Sequence, residues 1–317
     1  MQSCCLCFFD IVLTCSLLYK QQFADHYLTG VCLRQGVDTV SIDQAEILSR
    51  PIGIFDSGVG GLTVLRALLE RLPAENYYFL GDTARLPYGT KARDTIISYT
   101  KRAAGRIAEK TPIKMLVVAC NTASSVCLPA LRAQFPHIPV VGVIEPGAKA
   151  AVTASKTGCI AVLATEATVR GGAYTEAIHK LNPQARVVSR ACTIFVSLAE
   201  EGWLDGDVVE GTARRYLADI LAAKEKPDTV LLGCTHFPLL QGAIAKVVGS
   251  GVHIVDSAKT TAEAVASLLA EQHLANPGPK PGIVHFMATD NAARFAATGG
   301  NFLGRALTEA DVELVDL

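Results

Sequence analysis

From Pro51 onward the hydrophobic and polar positions follow a regular plan: short apolar, β-branched runs are separated by longer segments whose apolar residues recur at helical spacing. Runs of that length closed by turn residues read as buried strands, and strand alternating with helix reads as a parallel sheet covered on both faces. The pattern predicts strands at 52–55, 77–80, 113–119, 140–144, 159–163, 186–188, 229–232, 252–255 and 283–287. Helices are predicted between them, among others at 62–71, 95–110, 169–181, 208–223 and 261–271.

Two stretches repeat one plan. ACNTAS (119–124) and GCTHFP (233–238) each place a cysteine where an apolar run stops, followed by a small polar residue and a predicted helix start. FDSG (55–58) and VDSA (255–258) echo each other in the same way. The pairs suggest a duplicated ancestor. The expected fold is α/β with two pseudo-symmetric lobes, each a mostly parallel sheet flanked by helices, and the active site in the cleft between them. The first lobe is expected to hold residues 51–144 and a returning segment, 258–317; the second holds 145–257. In such sheets ligands bind beyond the carboxyl ends of the strands, which is where these motifs fall.

Composition narrows the partner. Half of the 317 residues are hydrophobic, the net charge is −1, and the 29 basic residues form no run or stripe. A nucleic-acid partner is therefore not expected. Of ten cysteines, Cys4, Cys5, Cys7, Cys15 and Cys32 fall in the first 50 residues, and Cys120, Cys127, Cys159, Cys192 and Cys234 are spread singly. That is no disulfide framework and points to a reducing compartment. Cys4 and Cys7 have metal-ligand spacing without a second pair to complete a site, so no metal is expected. The opening apolar stretch has no Lys or Arg before it, is interrupted by Asp10, and is too short to span a bilayer. The chain reads as soluble and cytoplasmic, with no membrane partner. Residues 1–50 read as an N-terminal extension, and whether that is a regulatory arm or reflects an assumed translation start stays open.

The candidate chemistry sits in a few loops. PIGIFDSGVGGLTVL (51–65) is a strand, then an acid and a hydroxyl, then glycines opening a helix. Either the glycines serve a tight turn by their backbone freedom, or they let an anion approach free N–H groups. A dinucleotide fingerprint would need glycine where Thr63 stands, although Asp82 falls about where a ribose-binding acid would. Asp56 would place a carboxylate in the mouth of the site, which suits proton chemistry better. In GDTARLPYG (81–89), Pro87, Tyr88 and Gly89 read as a turn or a substrate clamp. In LATEATVRGGAY (163–174), Thr165 and Thr168 read as caps or ligand donors. SLAEEGW (197–203) offers Glu200 and Glu201 as a solvated helix end or a site acid.

An isolated buried cysteine is usually structural, and Cys127, Cys159 and Cys192 are read so. Cys120 and Cys234 differ by position: the positive field of a helix start lowers a thiol pKa from about 8.5 toward neutrality. Two such thiols facing each other could invert a stereocentre, one removing a proton from one face of a carbon while the other returns a proton to the opposite face. A nucleophilic hydrolase would use Cys234 with His236 and leave Cys120 idle. A non-catalytic metabolite-binding module would need neither thiol. His236 is read as a helper that tunes or relays the proton.

Taken in order, IGIFDSGVGGLTV, GDTARLPYG, VVACNTAS, GVIEPGAKAA and LLGCTHFPLL resemble the glutamate racemase family across about 51–290. The resemblance implies interconversion of L- and D-glutamate for bacterial peptidoglycan synthesis, without pyridoxal phosphate, metal or other cofactor. It implies Cys120 and Cys234 as the proton donor and acceptor pair, Cys120 acting on D-glutamate and Cys234 on L-glutamate. Asp56, Glu200 and His236 would be auxiliary acids and bases. Substrate contacts would come from Asp56, Ser57, Tyr88, Gly89, Asn121, Thr122, Thr235 and His236. A homodimer is implied, as is a wall-precursor activator bound through an N-terminal arm in some members. Phe237 replaces a frequent Tyr, and SLAEEG and RGGAY depart from the common forms, but no proposed catalytic group is lost. The nearest alternatives are two-cysteine racemases of aspartate or hydantoins and a one-thiol decarboxylase.

Overall fold

The computed structural model describes residues 43–278 and 280–317. The extension and the Cys4–Cys7 spacing therefore lie outside the described residues, apart from 43–50. The strands are β1 (Ile52–Asp56), β2 (Tyr77–Gly81), β3 (Met115–Val118), β4 (Val140–Gly142), β5 (Cys159–Ala164), β6 (Arg186–Ala191), β7 (Thr229–Gly233), β8 (His253–Asp256), β9 (Val284–Ala288) and β10 (Val312–Leu314). The α-helices are α1 (Gln44–Ser49), α2 (Leu62–Arg71), α3 (Arg93–Lys110), α4 (Asn121–Gln134), α5 (Ile144–Ala154), α6 (Glu166–Gly171), α7 (Ala173–Leu181), α8 (Ile194–Glu200), α9 (Asp207–Ala222), α10 (Gln241–Val248), α11 (Ser257–Glu271) and α12 (Ala292–Leu303).

The strands form two sheets, β10-β9-β2-β1-β3-β4 and β6-β5-β7-β8, with every pairing parallel. Parallel strands need crossovers, and the helices that supply them cover both faces. This is why β1, β3, β5 and β7 are buried at every position and, apart from Asp56 and Thr229 at strand ends, are apolar without alternation. α11 packs against both α2 and α5 and so ties the helix layers of the two sheets together. Among the described residues no helix is long and apolar enough to cross a membrane.

The duplication echo has a structural counterpart. β1 pairs with β3, the strand before Cys120, and β8 pairs with β7, the strand before Cys234. Asp56 and Asp256 end β1 and β8, and each side chain accepts from the backbone N–H two residues on, at 2.9 and 2.8 Å. At the amino edge of the larger sheet, Lys114 Nζ lies 2.6 Å from the Glu75 carboxylate, with both side chains almost wholly buried. Lys114 also donates to the carbonyls of Leu48 and Leu274. That buried pair pins the end of α1 and the segment after α11 to the sheet.

Three predicted elements change in detail, and one strand is added. The helix expected at 169–181 starts earlier, at Glu166, and breaks at Gly172, whose φ of +70° lies in the left-handed region that ends helices cheaply only at glycine. The 113–119 run is a strand only from Met115 to Val118, and 140–144 stops at Gly142 because Ile144 already opens α5. The edge strand β10 was not predicted, since three residues carry too little period.

Candidate active site

A cavity of about 130 Å³ opens between the carboxyl ends of the two sheets, and both Cys120 and Cys234 line it. Ser57, Tyr88, Gly89, Asn121, Thr122, Glu200, Thr235 and His236 line it too. Of the predicted site residues, only Asp56 lies behind this lining, fully buried at the end of β1. Of the two adjacent acids, Glu200 lines the cavity, whereas Glu201 is an exposed helix end. Cys127, Cys159 and Cys192 are buried elsewhere and do not line the cavity.

Cys120 follows β3 and is the N-cap of α4, its Sγ accepting from Ala123 N–H at 3.4 Å. Its thiol donates to the Ser57 hydroxyl at 3.3 Å. The helix start was expected to lower its pKa, and the structure corrects this: the pKa is pushed up to about 12, first by burial and then by the Asp56 charge. The Ser57 and Ala123 hydrogen bonds oppose the rise without cancelling it. Desolvation of a wholly buried thiolate outweighs one helix start. Asp56 is itself pushed above the usual carboxylate range by burial, against the pull of the His236 charge and three backbone N–H groups.

The turn after β7 is built differently. Cys234 is followed by a single 3₁₀ turn, Phe237–Leu240, before α10, so the second thiol does not cap an α-helix as the first does. Its partner is a side chain: Cys234 Sγ lies 3.8 Å from His236 Nδ1, and His236 Nε2 lies 3.0 Å from Glu200 Oε1. Burial would lower the His236 pKa, but the hydrogen bonds and charges of Cys234 and Glu200 carry it up to about 10. Glu200 is held below its ordinary value chiefly by its hydrogen bond to His236.

The glycines of 58–61 have a clear purpose. None has a positive φ, so the turn does not need their backbone freedom. A Cβ on Gly60 would stand 2.4 Å from both His236 Nδ1 and Thr235 Oγ1. Gly60 is glycine because the second sheet's loop packs against it, and Gly61 because Asp56 and Ala119 leave no room for a side chain. Thr63 Oγ1 crosses the same seam to the Thr235 carbonyl at 2.9 Å.

Polar groups ring the rest of the cavity. Thr122, Thr165 and Thr168 form a buried hydroxyl triangle with edges of 2.9, 3.2 and 3.0 Å. Asn121 Nδ2 and Asp56 Oδ1 are buried without a partner. Tyr88 donates its hydroxyl to Asp82 at 2.6 Å, so that hydrogen is not free for a ligand. Asp82 is fully buried and also takes Thr289 and Arg85, which leaves nothing for a ribose and removes the dinucleotide reading. Thr193, Val196 and Ser197, unmarked in the sequence, complete the lining from the start of α8. Among the described residues no cluster of three or more His, Cys, Asp or Glu side chains is placed to hold a metal ion. A larger open groove of about 890 Å³, between α5 and α11 at the amino ends of β7 and β8, contains none of the predicted residues.

The family model described as Asp/Glu/hydantoin racemase matches residues 52–265. The glutamate racemase of Geobacter metallireducens is 48% identical over 268 residues, 84% of this chain and 97% of its own length. The chain belongs to the glutamate racemases of the Asp/Glu/hydantoin racemase family. It is thus an isomerase that acts on an amino acid. The glutamate racemase of Francisella tularensis, solved in complex with D-glutamate, has a TM-score of 0.78 at 35% identity, covering 85% of this chain and 98% of its own. The Escherichia coli glutamate racemase, solved with L-glutamate and the activator UDP-MurNAc-Ala, has a TM-score of 0.67 at 34% identity, covering 80% and 95%.

Proposed function

We propose that the chain interconverts L- and D-glutamate by proton transfer between two bases, Cys120 and Cys234, with no other group carrying the α-proton. The observation that supports this best is that the two thiols line one small cavity from turns of different sheets. Their surroundings differ. Burial and the nearby Asp56 carboxylate keep Cys120 a thiol. Cys234 lies beside an imidazole whose far nitrogen meets Glu200. With L-glutamate, Cys234 takes the α-proton and Cys120 delivers its own to the opposite face. D-glutamate uses the mirror assignment.

The α-proton of an amino acid is weakly acidic and a thiolate is a modest base, so charge developing on the α-carboxylate must be stabilised. Asn121 Nδ2 and the hydroxyls of Ser57, Thr122 and Thr235 are the available donors. Removing one such donor costs on the order of 3 kcal/mol, a hundredfold or more in rate. The lobe division at 144 and 257, a cytoplasmic homodimer and a role for the product in peptidoglycan synthesis belong to the same proposal. So does sensitivity to a wall-precursor activator, for which the Escherichia coli relative is the support.

The test is optical activity of L-glutamate incubated with the protein and no added cofactor. The signal is expected to decay to zero, and Cys120→Ala and Cys234→Ala each to abolish the decay. An inert wild type, or an alanine variant with full rate, would overturn the reading.

A further inference from the structure

Asn121 stands one residue after Cys120 and lines the cavity, yet only half of its amide is accounted for within the protein. Its Oδ1 accepts a hydrogen bond from the Tyr174 hydroxyl at 2.6 Å, while the buried Nδ2 has no partner. Unpaired buried donors are rare in native proteins and call for an explanation, a missing ligand among them. Tyr174 comes from α7, beside the second sheet, and is only 2% exposed. Its hydroxyl also meets the hydroxyl of Ser257, the first residue of α11.

The chain of groups has one polarity. The phenol hydrogen goes to Asn121 Oδ1, and both amide hydrogens remain for the cavity. Turned over, the amide would present its carbonyl to an incoming carboxylate and repel it. Burial holds the Tyr174 phenol above its ordinary pKa, so the hydrogen that locks the amide stays in place. The ring has a shaped seat. A Cβ on Gly233 would come within 2.8 Å of Tyr174 Cε2, and one on Gly147 within 3.3 Å of Cε1. Gly233 immediately precedes Cys234, so one side chain touches the turns that carry both thiols.

We propose that Tyr174, backed by Ser257, is a positioning residue that fixes the Asn121 amide with Nδ2 toward a substrate carboxylate. This rests on the racemase reading above and deepens it. The experiment measures kcat and KM in the wild type, Tyr174→Phe, Asn121→Ala and the double variant, alongside melting temperatures. Tyr174→Phe is expected to raise KM about tenfold with a smaller fall in kcat. In the Asn121→Ala background it should add less than about twofold, because its target is already gone. Ser257→Ala, which keeps the ring and its hydroxyl, should raise KM about threefold and carries the same test if Tyr174→Phe does not fold. A Tyr174→Phe enzyme with unchanged KM, or one that loses as much with Asn121→Ala as without it, would overturn the proposal. An inactive wild type would sink the racemase reading together with this one, whereas additive losses in an active wild type sink this one alone.

Discussion

Replacing Glu200 by Gln removes the charge that faces His236 and keeps the shape of the side chain. In the structure Glu200 Oε1 lies 3.0 Å from His236 Nε2, and the two side chains are only 22% and 9% exposed, so solvent screens the contact weakly. A charge-assisted hydrogen bond of this kind contributes about 1.5–3 kcal/mol, which corresponds to about 1–2 pKa units. The His236 pKa is raised to about 10 by its partners against burial, so the protonated imidazole is the form that Glu200 stabilises. Without the carboxylate the proton leaves at lower pH. The assay is the pH dependence of kcat with L-glutamate. The alkaline limb is expected to shift about 1–2 units toward acid in Glu200→Gln and to stay in place in Glu201→Gln, whose side chain is exposed. Superimposable wild-type and Glu200→Gln profiles, or equal shifts in the two variants, would refute the relay.

Other outcomes follow from individual contacts. Gly60→Ala puts a methyl group within 2.4 Å of His236 Nδ1, and displacement of that ring should lower kcat/KM by about a hundredfold in steady-state assays. Cys127→Ala removes a buried thiol remote from the cavity and should lower stability by about 1 kcal/mol in urea unfolding, with kcat unchanged. Lys114→Met leaves the Glu75 charge buried without its partner and should cost about 3–5 kcal/mol in the same measurement, with activity per folded molecule retained.

Much of the architecture could be read from the chain because parallel strands buried on both faces are short, continuous apolar runs. β1, β5 and β7 were found that way, and α2 matched from Leu62 to Arg71. β10 was not found, because a three-residue edge strand has two exposed positions and no run to detect. The break at Gly172 was missed because helical spacing continues across it, and only backbone angle separates α6 from α7. At the site, the position of both thiols after strand ends was legible, but the protonation of Cys120 was not. The helix-start argument sees the local dipole around Cys120, whereas the deciding burial is produced by residues far away in sequence. The glycines near 60 were read as a tight turn or an anion cradle; the close approach of Thr235 and His236 to Gly60 was not legible, since it exists only once the sheets meet. Nothing in the sequence singled out Tyr174, whose hydrogen bond goes to a residue 53 positions away.

The central claim is that inversion uses two separate proton carriers on opposite sides of one carbon, and isotope tracing at the α-carbon tests it most directly. With L-glutamate in deuterated water, sampled at early conversion, the D-glutamate formed should carry solvent deuterium at Cα while the remaining L-glutamate stays unlabelled. D-glutamate that keeps the original hydrogen, or L-glutamate that gains deuterium as fast as product forms, would contradict it.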